Sequence, residues 1–472
     1  MKLTTSSLLV AVTLLGAAVM PAQANNNAML ELLKVLRDQG TITEQNYQLL
    51  ISAANADKQA SAETNAKVAQ VEATTAVTEE KVAQVTQKVE EAPSVSLQGG
   101  HLKMKSADGE FTTQIGGRVM LDAATFSDDL GDESGSEVRR ARLFMTGKMY
   151  NDWDYKFQIG YAGNKVSMKD MYISYNGLDS ARLRVGNHKM PLGLEQQTSS
   201  KYITFMERSI LTGVQEDAGE AGRAMGISSF SHGDNWTAAV AAHLEGTTSA
   251  LDFNDNEDWG WGGRVSFAPI AEKTQNIHLG ASFHHQEYEA NGRDLGLSFR
   301  PEAHLSPVKP FTTGNIGAMD DSNAYGLEAA TVWGPFSLQS EYAYFDLNSS
   351  RDNTLSNDPD FSTWYLTGSW FITGESRNYS AKKGEFGRVK PHNIVGQGGT
   401  GAWELALRYS EADLENGDLG NTGDITTIGL NWYATPTIRF MANYNWTHVD
   451  NDNTGEEDVD GNVLQVRGQV DF

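Results

Sequence analysis

The chain contains no cysteine, which removes disulfides, thiolate metal centres and a cysteine nucleophile from consideration. Proline is scarce, at 11 of 472 residues. Beyond the first twenty residues no apolar run approaches the roughly 20 residues that a membrane-spanning helix needs, so insertion into a membrane as helices is excluded. Positive charge is in deficit: 37 Lys and Arg against 61 Asp and Glu give a net charge of −24. That balance opposes nucleic acid, and no nucleic-acid partner is expected. Much of the acid is local, in runs at Asp128, Asp129, Asp132 and Glu133, at Asp252, Asp255, Glu257 and Asp258, and from Asp450 to Asp460. These read as solvated loops. What the chain has in quantity is glycine, 46 residues, and aromatics, with 10 Trp, 16 Tyr and 18 Phe, a composition suited to many strands and turns.

Four segments follow from the pattern. Residues 1–24 read as a secretory signal peptide, with Lys2, an apolar run from Leu8 to Met20, and Ala22-Gln23-Ala24 before the expected cleavage. Residues 25–92 read as helical. Two short helices are expected around Gly40 as a left-handed terminator, with Thr43 capping the second and Ile42 and Tyr47 as a hydrophobic staple. The repeat "KVAQV" at Lys67 and Lys81 then sets Val68, Val71, Val82, Val85 and Val89 on one heptad seam, the pattern of a short parallel coiled coil or of a solvated, partly helical tether. Residues 93–110 read as a linker.

From Phe111 to Phe472 the hydrophobic period is two. Leu464, Val466, Gly468, Val470 and Phe472 alternate with Gln465, Arg467, Gln469 and Asp471, and Leu405 and Leu407 with Glu404 and Arg408. A soluble sandwich also alternates. Here the runs last about nine to eleven residues, and Trp153, Trp236, Trp333, Trp370, Trp432, Trp446 and Phe472 stand near their ends, as in an outer-membrane barrel with aromatic girdles. Short turns near Asn151, Leu178, Gly233, Ala271, Gly334 and Pro436, and a longer connection from Glu375 to Thr400, alternate with longer acidic loops. The expected fold is all-β: an antiparallel transmembrane β-barrel of about 16 strands in the outer membrane of a Gram-negative bacterium, preceded by the helical and coiled-coil segment in the periplasm. The strand ending at Phe472 is expected to pair with the one starting near Thr112, leaving no edge in lipid. A barrel of that size encloses an aqueous channel.

With the apolar face assigned to lipid, the alternate positions line water. Arg118, Arg140, Arg142, Lys148, Arg182, Arg184, Arg264, Arg408, Arg439 and Arg467 then point into the lumen, followed by Lys156, against fewer inward acids: Asp122, Glu328, Glu341, Glu404 and Asp471. Exposed loop charges are screened beyond about 8 Å, whereas charges in a pore with low-dielectric walls focus the field there. Rings of Arg and Lys line anion pores, and the guanidinium fork favours oxyanions such as phosphate. The competing reading of any one arginine is that it braces the wall against Glu404, Glu341 or Asp122.

The stretch from His188 to Gly219 is too long and too apolar for an ordinary surface loop. Folded back into the barrel, it would pack Leu192, Leu194, Ile203, Phe205 and Met206 on the wall while Lys189, Lys201 and Arg208 narrow the passage. The alternatives are an external plug or a contact with a neighbouring subunit. The loop "DNDNTGEEDVDG" offers Asp450, Asp452 and Asp458 as oxygen donors, but Gly461 stands where a calcium loop has its closing Glu. It reads as a solvated loop, bridged by divalent ions to lipopolysaccharide, and no metal is assigned. His188, His284 and His285 are the tempting bases for a barrel hydrolase, yet no paired nucleophile motif accompanies them. No catalytic residue and no cofactor is expected.

Several long motifs resemble the phosphate-selective porin family, the porins O and P: "IGGRVMLDA" from Ile115, "EVRRARLFMTGKMYNDWDYKFQIGYAG" from Glu137, "RVGNHKMPLGLEQQTSSKYITFMERS" from Arg184, "WFITGES" from Trp370 and "GAWELALRYSEADL" from Gly401. The resemblance implies a homotrimer of sixteen-stranded barrels embedded in outer-membrane lipid, each constricted by its third loop and conducting small anions by passive diffusion. Arg118, Arg140, Arg142, Lys189 and Arg208 fall inside the matching motifs. The coiled-coil segment resembles an extra present in some members, for trimer assembly or for spacing toward the peptidoglycan wall. The alternative function is an envelope tether or adhesin, with the barrel as its anchor.

Overall fold

The computed structural model describes residues 23–90, 92–218, 222–244, 258–288, 293–351, 353, 355 and 357–472. Most of the expected signal peptide, the acidic run from Asp252 to Glu257, Gly219 and the side chain of Val89 lie outside the described residues. Two units make up the chain, dividing between Ala92 and Pro93. The first consists of α1 (Gln23–Asp38) and α2 (Glu44–Glu90). Gly40 takes the left-handed conformation at φ 71°, and Thr43 Oγ1 accepts the Asn46 amide at 3.3 Å, so the expected stop and cap are both present. The second helix is not short. It runs for 47 residues, because nothing from Glu44 onward breaks it and its Ala, Gln, Glu and Lys are good helix formers. Val68, Val71, Val82 and Val85 stand exposed along it.

The second unit is a closed barrel. Its strands are β1 (Thr112–Asp128), β2 (Ser134–Met149), β3 (Trp153–Gly160), β4 (Ser167–Tyr175), β5 (Arg182–Lys189), β6 (Arg223–His232), β7 (Trp236–Leu244) and β8 (Trp259–Ala271). They continue with β9 (Gln275–Glu287), β10 (Gly317–Trp333), β11 (Phe336–Ser349), β12 (Asp360–Phe371), β13 (Ala402–Asp413), β14 (Thr422–Thr435), β15 (Ile438–Asp450) and β16 (Val459–Asp471). Each pairs antiparallel with the next, and β16 closes on β1 from Gly461 opposite Asp128 to Asp471 opposite Arg118. Every turn expected from the sequence separates two of these strands.

Burial is inverted relative to a water-soluble fold. On β13, Leu407 is 56% exposed while its neighbour Arg408 is 1% exposed; on β16, Leu464 is 47% exposed and Gln465 3%. An apolar outside over a polar inside is what a hydrocarbon surrounding demands, since strands in lipid must satisfy their backbone between themselves and keep charge inward. Replacing Leu407 with Arg is therefore expected to lower the free energy of unfolding in lipid vesicles by about 2–4 kcal/mol; an unchanged value would mean this face does not meet hydrocarbon.

The stretch read as a linker is instead a hairpin, Ser94–Gln98 with His101–Lys105, whose second strand pairs with the start of β1, Leu102 opposite Ile115. It meets the C-terminus, where Phe472 and Gly117 exchange two backbone hydrogen bonds of 2.6 and 3.1 Å. Gly116 is required at this junction: a Cβ there would overlap the Phe472 carbonyl and the His101 ring.

Among the described residues, three long connections pack against inward-facing wall residues. One is the third long loop, between β5 and β6, as expected. The others are the loop between β9 and β10, and the connection between β12 and β13. From the β9–β10 loop, Phe299, Phe311 and Ile316 join Leu211 and Val214 of the third loop against Phe345 and Tyr365 of the wall. From the β12–β13 connection, Phe386 packs with Leu194 against Ala330 and Val332. These contacts cover much of the wall from β10 to β16, while inward residues of β1 to β6 line the remaining cavity.

Candidate functional site

The open part of the lumen is a cavity of about 730 Å³ bounded by β1 to β6, the hairpin, the third loop and the tip of the β12–β13 connection. Among the described residues thirteen lysines and arginines line it, against three carboxylates, Asp170, Glu216 and Glu385. Nine sequence-predicted cations are in that lining, Lys156 of β3 among them. Arg118, Arg140, Arg142, Arg182 and Arg184 come from strands, Lys189 from the end of β5, and Lys201 and Arg208 from the third loop.

These groups are held mostly by neutral partners. Arg118 donates to Ser200 Oγ at 2.9 Å. Arg184 lies 4.0 Å over the Tyr172 ring and Arg182 5.0 Å over Phe230. Arg208 donates to the carbonyls of Glu195 and Thr198 at 3.0 and 2.9 Å, and Lys189 to that of Gln196. Among the described residues none of these, nor Arg142, forms an ion pair with a carboxylate. Asp170 is saturated by Lys156 and by Arg223 at 2.8 Å. The arc therefore keeps several guanidinium groups whose charge is not internally cancelled.

Five predicted residues are placed differently. Lys148 shares the inward parity but sits exposed near the short-turn end, outside the cavity lining. Arg264, Arg408, Arg439 and Arg467 face inward as expected, yet they brace rather than line. Arg264 pairs with Glu328 at 2.6 Å and donates to the Gly384 carbonyl at 2.8 Å. Arg408 pairs with Glu302 of the β9–β10 loop and lies 4.5 Å over the Phe205 ring. Arg439 donates to the carbonyls of Ile203 and Thr204, both at 2.7 Å. Arg467 takes Asp122 at 2.6 Å and Glu207 at 2.7 Å. The inward acids do the same work. Glu341 accepts the amides of Leu194 and Glu195 at 2.7 Å each.

This bracing holds the third loop on the wall. Leu192, Leu194, Ile203, Phe205 and Met206 are all buried, as expected, and Glu207 is the anchor. Arg139 clasps it with two bonds of 2.8 Å, Arg140 with bonds of 3.2 and 3.0 Å, and Arg467 with one of 2.7 Å. Burial alone would raise the Glu207 carboxyl, but the charges of Arg140, Arg139 and Arg467 outweigh it and hold the group well below the usual carboxylate range. Bracing and lining are separable. Arg264→Ala is expected to cost about 3–5 kcal/mol by leaving Glu328 buried without its cation, while the sign and size of ion selectivity stay unchanged in planar bilayers.

Simple alternation misses Arg139, Lys169, Arg223 and Lys383, all in the lining. Two of these have a common cause. The β1–β2 ladder skips a residue between Arg140 opposite Met120 and Val138 opposite Leu121, so Arg139 is the extra residue of a bulge. The β3–β4 ladder likewise runs from Phe157 opposite Met171 to Ile159 opposite Met168, which places Lys169 and Asp170 at a bulge. A bulge breaks the period of two and turns consecutive residues to one side. Adjacent charges in mid-strand, Arg139-Arg140 and Lys169-Asp170, are the available signal.

His188 lines the cavity with Nδ1 2.8 Å from the Gly186 carbonyl. The carboxylates of Asp450, Asp452 and Asp458 converge within 4.8 Å on the β15–β16 loop, two of them exposed.

The model of the family described as phosphate-selective porin O and P matches residues 113–472. Porin O of Pseudomonas aeruginosa is 27% identical over 410 residues, covering 78% of this chain and 90% of the relative. An uncharacterised protein of Caulobacter vibrioides is 28% identical over 399 residues, covering 81% and 78%. Among solved structures, the anion-selective porin from Comamonas acidovorans superposes with a TM-score of 0.51 at 14% identity, over 77% of this chain and all of the other.

Proposed function

Because the chain belongs to the phosphate-selective porin O and P family, and is thus an outer-membrane β-barrel porin, we propose that it conducts small oxyanions, phosphate among them, by passive diffusion past the cationic arc. The observation that carries this reading is the contrast between the lining and the whole. Thirteen cations meet three carboxylates around the cavity, in a chain of net charge −24. Charges on the outer loops are screened within about 8 Å, whereas those of the arc act on an ion inside a low-dielectric wall. An entering anion exchanges water for guanidinium N–H donors already fixed by Ser200, Tyr172 and Phe230, and Arg142 waits without a carboxylate. Planar donors in pairs suit tetrahedral oxyanions better than a point cation does.

The third loop narrows this passage with Lys189, Lys201 and Arg208. The β9–β10 loop and the β12–β13 connection pack against other parts of the wall, which favours the arc as the route. Strand β1 begins at the short-turn end, which supports a periplasmic position for the helical segment, within reach of peptidoglycan. Three copies assemble as a homotrimer, with the exposed valines of α2 as a shared seam; a similar fold, OmpT of Vibrio cholerae, is described in a trimer form. The long acidic loops then face lipopolysaccharide across divalent ions. The test is single-channel current carried by chloride with phosphate added in steps. Saturable reduction of the chloride current is expected, and a current indifferent to phosphate would contradict oxyanion preference.

A further inference from the structure

We propose that His243 and His284, with the side-chain carbonyl of Gln286, form a binding site for a borderline divalent metal ion of the zinc, nickel or cobalt class. The two histidines stand on β7 and β9, with β8 between them. Neighbouring strands lie about 4.8 Å apart, so side chains two strands apart meet only if they lean across an empty middle. That middle is empty because β8 carries glycine there: Gly260 is opposite both His243 and Gln286, and Gly262 is opposite His284. The imidazole rings stack at 5.0 Å and 10°, with their Nε2 atoms 2.7 Å apart.

A Cβ added to Gly260 would lie 2.7 Å from His243 Nε2 and 2.6 Å from Gln286 Oε1. Both atoms therefore converge on the hollow that the glycine leaves. All three side chains are at least nine-tenths buried, and Gln286 Oε1 and His284 Nδ1 have no hydrogen-bond partner among the described residues. An orphaned carbonyl oxygen aimed at a pair of imidazole nitrogens is a donor set of two nitrogens and one oxygen.

The proton inventory is compatible with binding of a cation. His243 Nδ1 lies 3.2 Å from the Leu244 carbonyl and carries its proton there, so its Nε2 holds a lone pair and accepts the Nε2 proton of His284. On binding, that proton moves to His284 Nδ1, both Nε2 lone pairs turn to the metal, and no proton leaves the protein. Zinc–imidazole bonds of about 2.0–2.1 Å in a tetrahedral site separate two nitrogens by roughly 3.3 Å, so the pair opens by about half an ångström. Gln286 supplies the third ligand and water the fourth. Imidazole with an amide oxygen suits these ions and not calcium or magnesium, which take oxygen alone.

The test uses the full-length protein without a histidine tag, stripped of metal in detergent, loaded with Zn²⁺ and passed through gel filtration. One equivalent of zinc per chain is expected for the wild type and for a variant with Asp450, Asp452 and Asp458 all replaced by Asn. It is expected to be lost in His284→Gln, in His243→Gln, and in Gly260→Ala, which fills the hollow while keeping every ligand. Co²⁺ should give visible ligand-field bands in the wild type that disappear in His284→Gln. Folding of each variant is checked by heat-modifiable migration on gels. Zinc retained undiminished in the folded Gln variants, or absent from the folded wild type, would overturn the proposal.

Discussion

Replacing Glu207 with Gln is expected to be the most damaging single change in the third loop, costing about 3–5 kcal/mol. The carboxylate faces three guanidinium groups, Arg139, Arg140 and Arg467. Among the described residues only Asp122 remains to balance Arg467 when it is gone. Removing one partner of a buried pair costs more than the pair contributes, because the stranded charge cannot reach water. The loop's other tie to the same arginine, from the Met206 carbonyl to Arg467, cannot compensate a charge. Unfolding in detergent by denaturant should show the loss, and protease cleavage within residues 190–216 should accelerate. The pH dependence carries the same signature. A carboxyl depressed on folding contributes stability that is fully present above its ordinary value, about 4.3, and loses it as the pH falls through its folded value well below that. The wild-type loop should therefore stay anchored at pH 5, and an early release there would contradict the Glu207 assignment.

Reversing two charges of the arc, Arg118→Glu with Arg142→Glu, is expected to have the largest effect on transport. These residues are direct partners across β1 and β2, and neither forms an ion pair with a carboxylate among the described residues. Two unit charges about 4 Å apart interact by roughly 4 kcal/mol at an effective dielectric of about 20. A hydrated ion passing at greater distance feels a fraction of that, on the order of 1.4 kcal/mol, or about tenfold in anion occupancy for each site. The double variant should carry at least about tenfold less anion current and shift toward cation preference. Lys148→Glu, which lies outside the lining, should leave both unchanged. Equal effects from the two variants would mean that overall charge, not the arc, sets conduction.

How much of this was legible in the sequence depends on the range of the interaction. Strand parity is local. Leu407 beside Arg408, or Leu464 beside Gln465, assigns two faces without knowledge of any partner, and the turns at Asn151, Gly233 and Gly334 follow from the same short window. The inward direction of Arg264, Arg408, Arg439 and Arg467 was legible for that reason. Their use was not, because the groups that consume them lie far away in sequence: Glu328 is 64 positions from Arg264, and Asp122 is 345 from Arg467. Bulges were illegible to a strict period of two, which is why Arg139 and Lys169 were missed although their neighbours were found. The destination of loops was partly legible. The run of apolar residues from Leu192 to Met206 marked the third loop, whereas the β12–β13 connection, rich in Gly, Lys and Asn, buries few apolar side chains, Phe386 and Val389 among them, and gave no comparable sign. In α2, helix formers without a breaker made one long helix where an amphipathic reading had placed a short one.

The most direct test of the cationic bore is the reversal potential of the wild-type porin in a planar bilayer separating concentrated from dilute potassium chloride. An anion-conducting arc with thirteen cations against three carboxylates should give a potential of the sign set by chloride, shrinking when phosphate, the preferred anion, replaces part of the chloride on the dilute side. A potential of the opposite sign, set by potassium, would contradict the account.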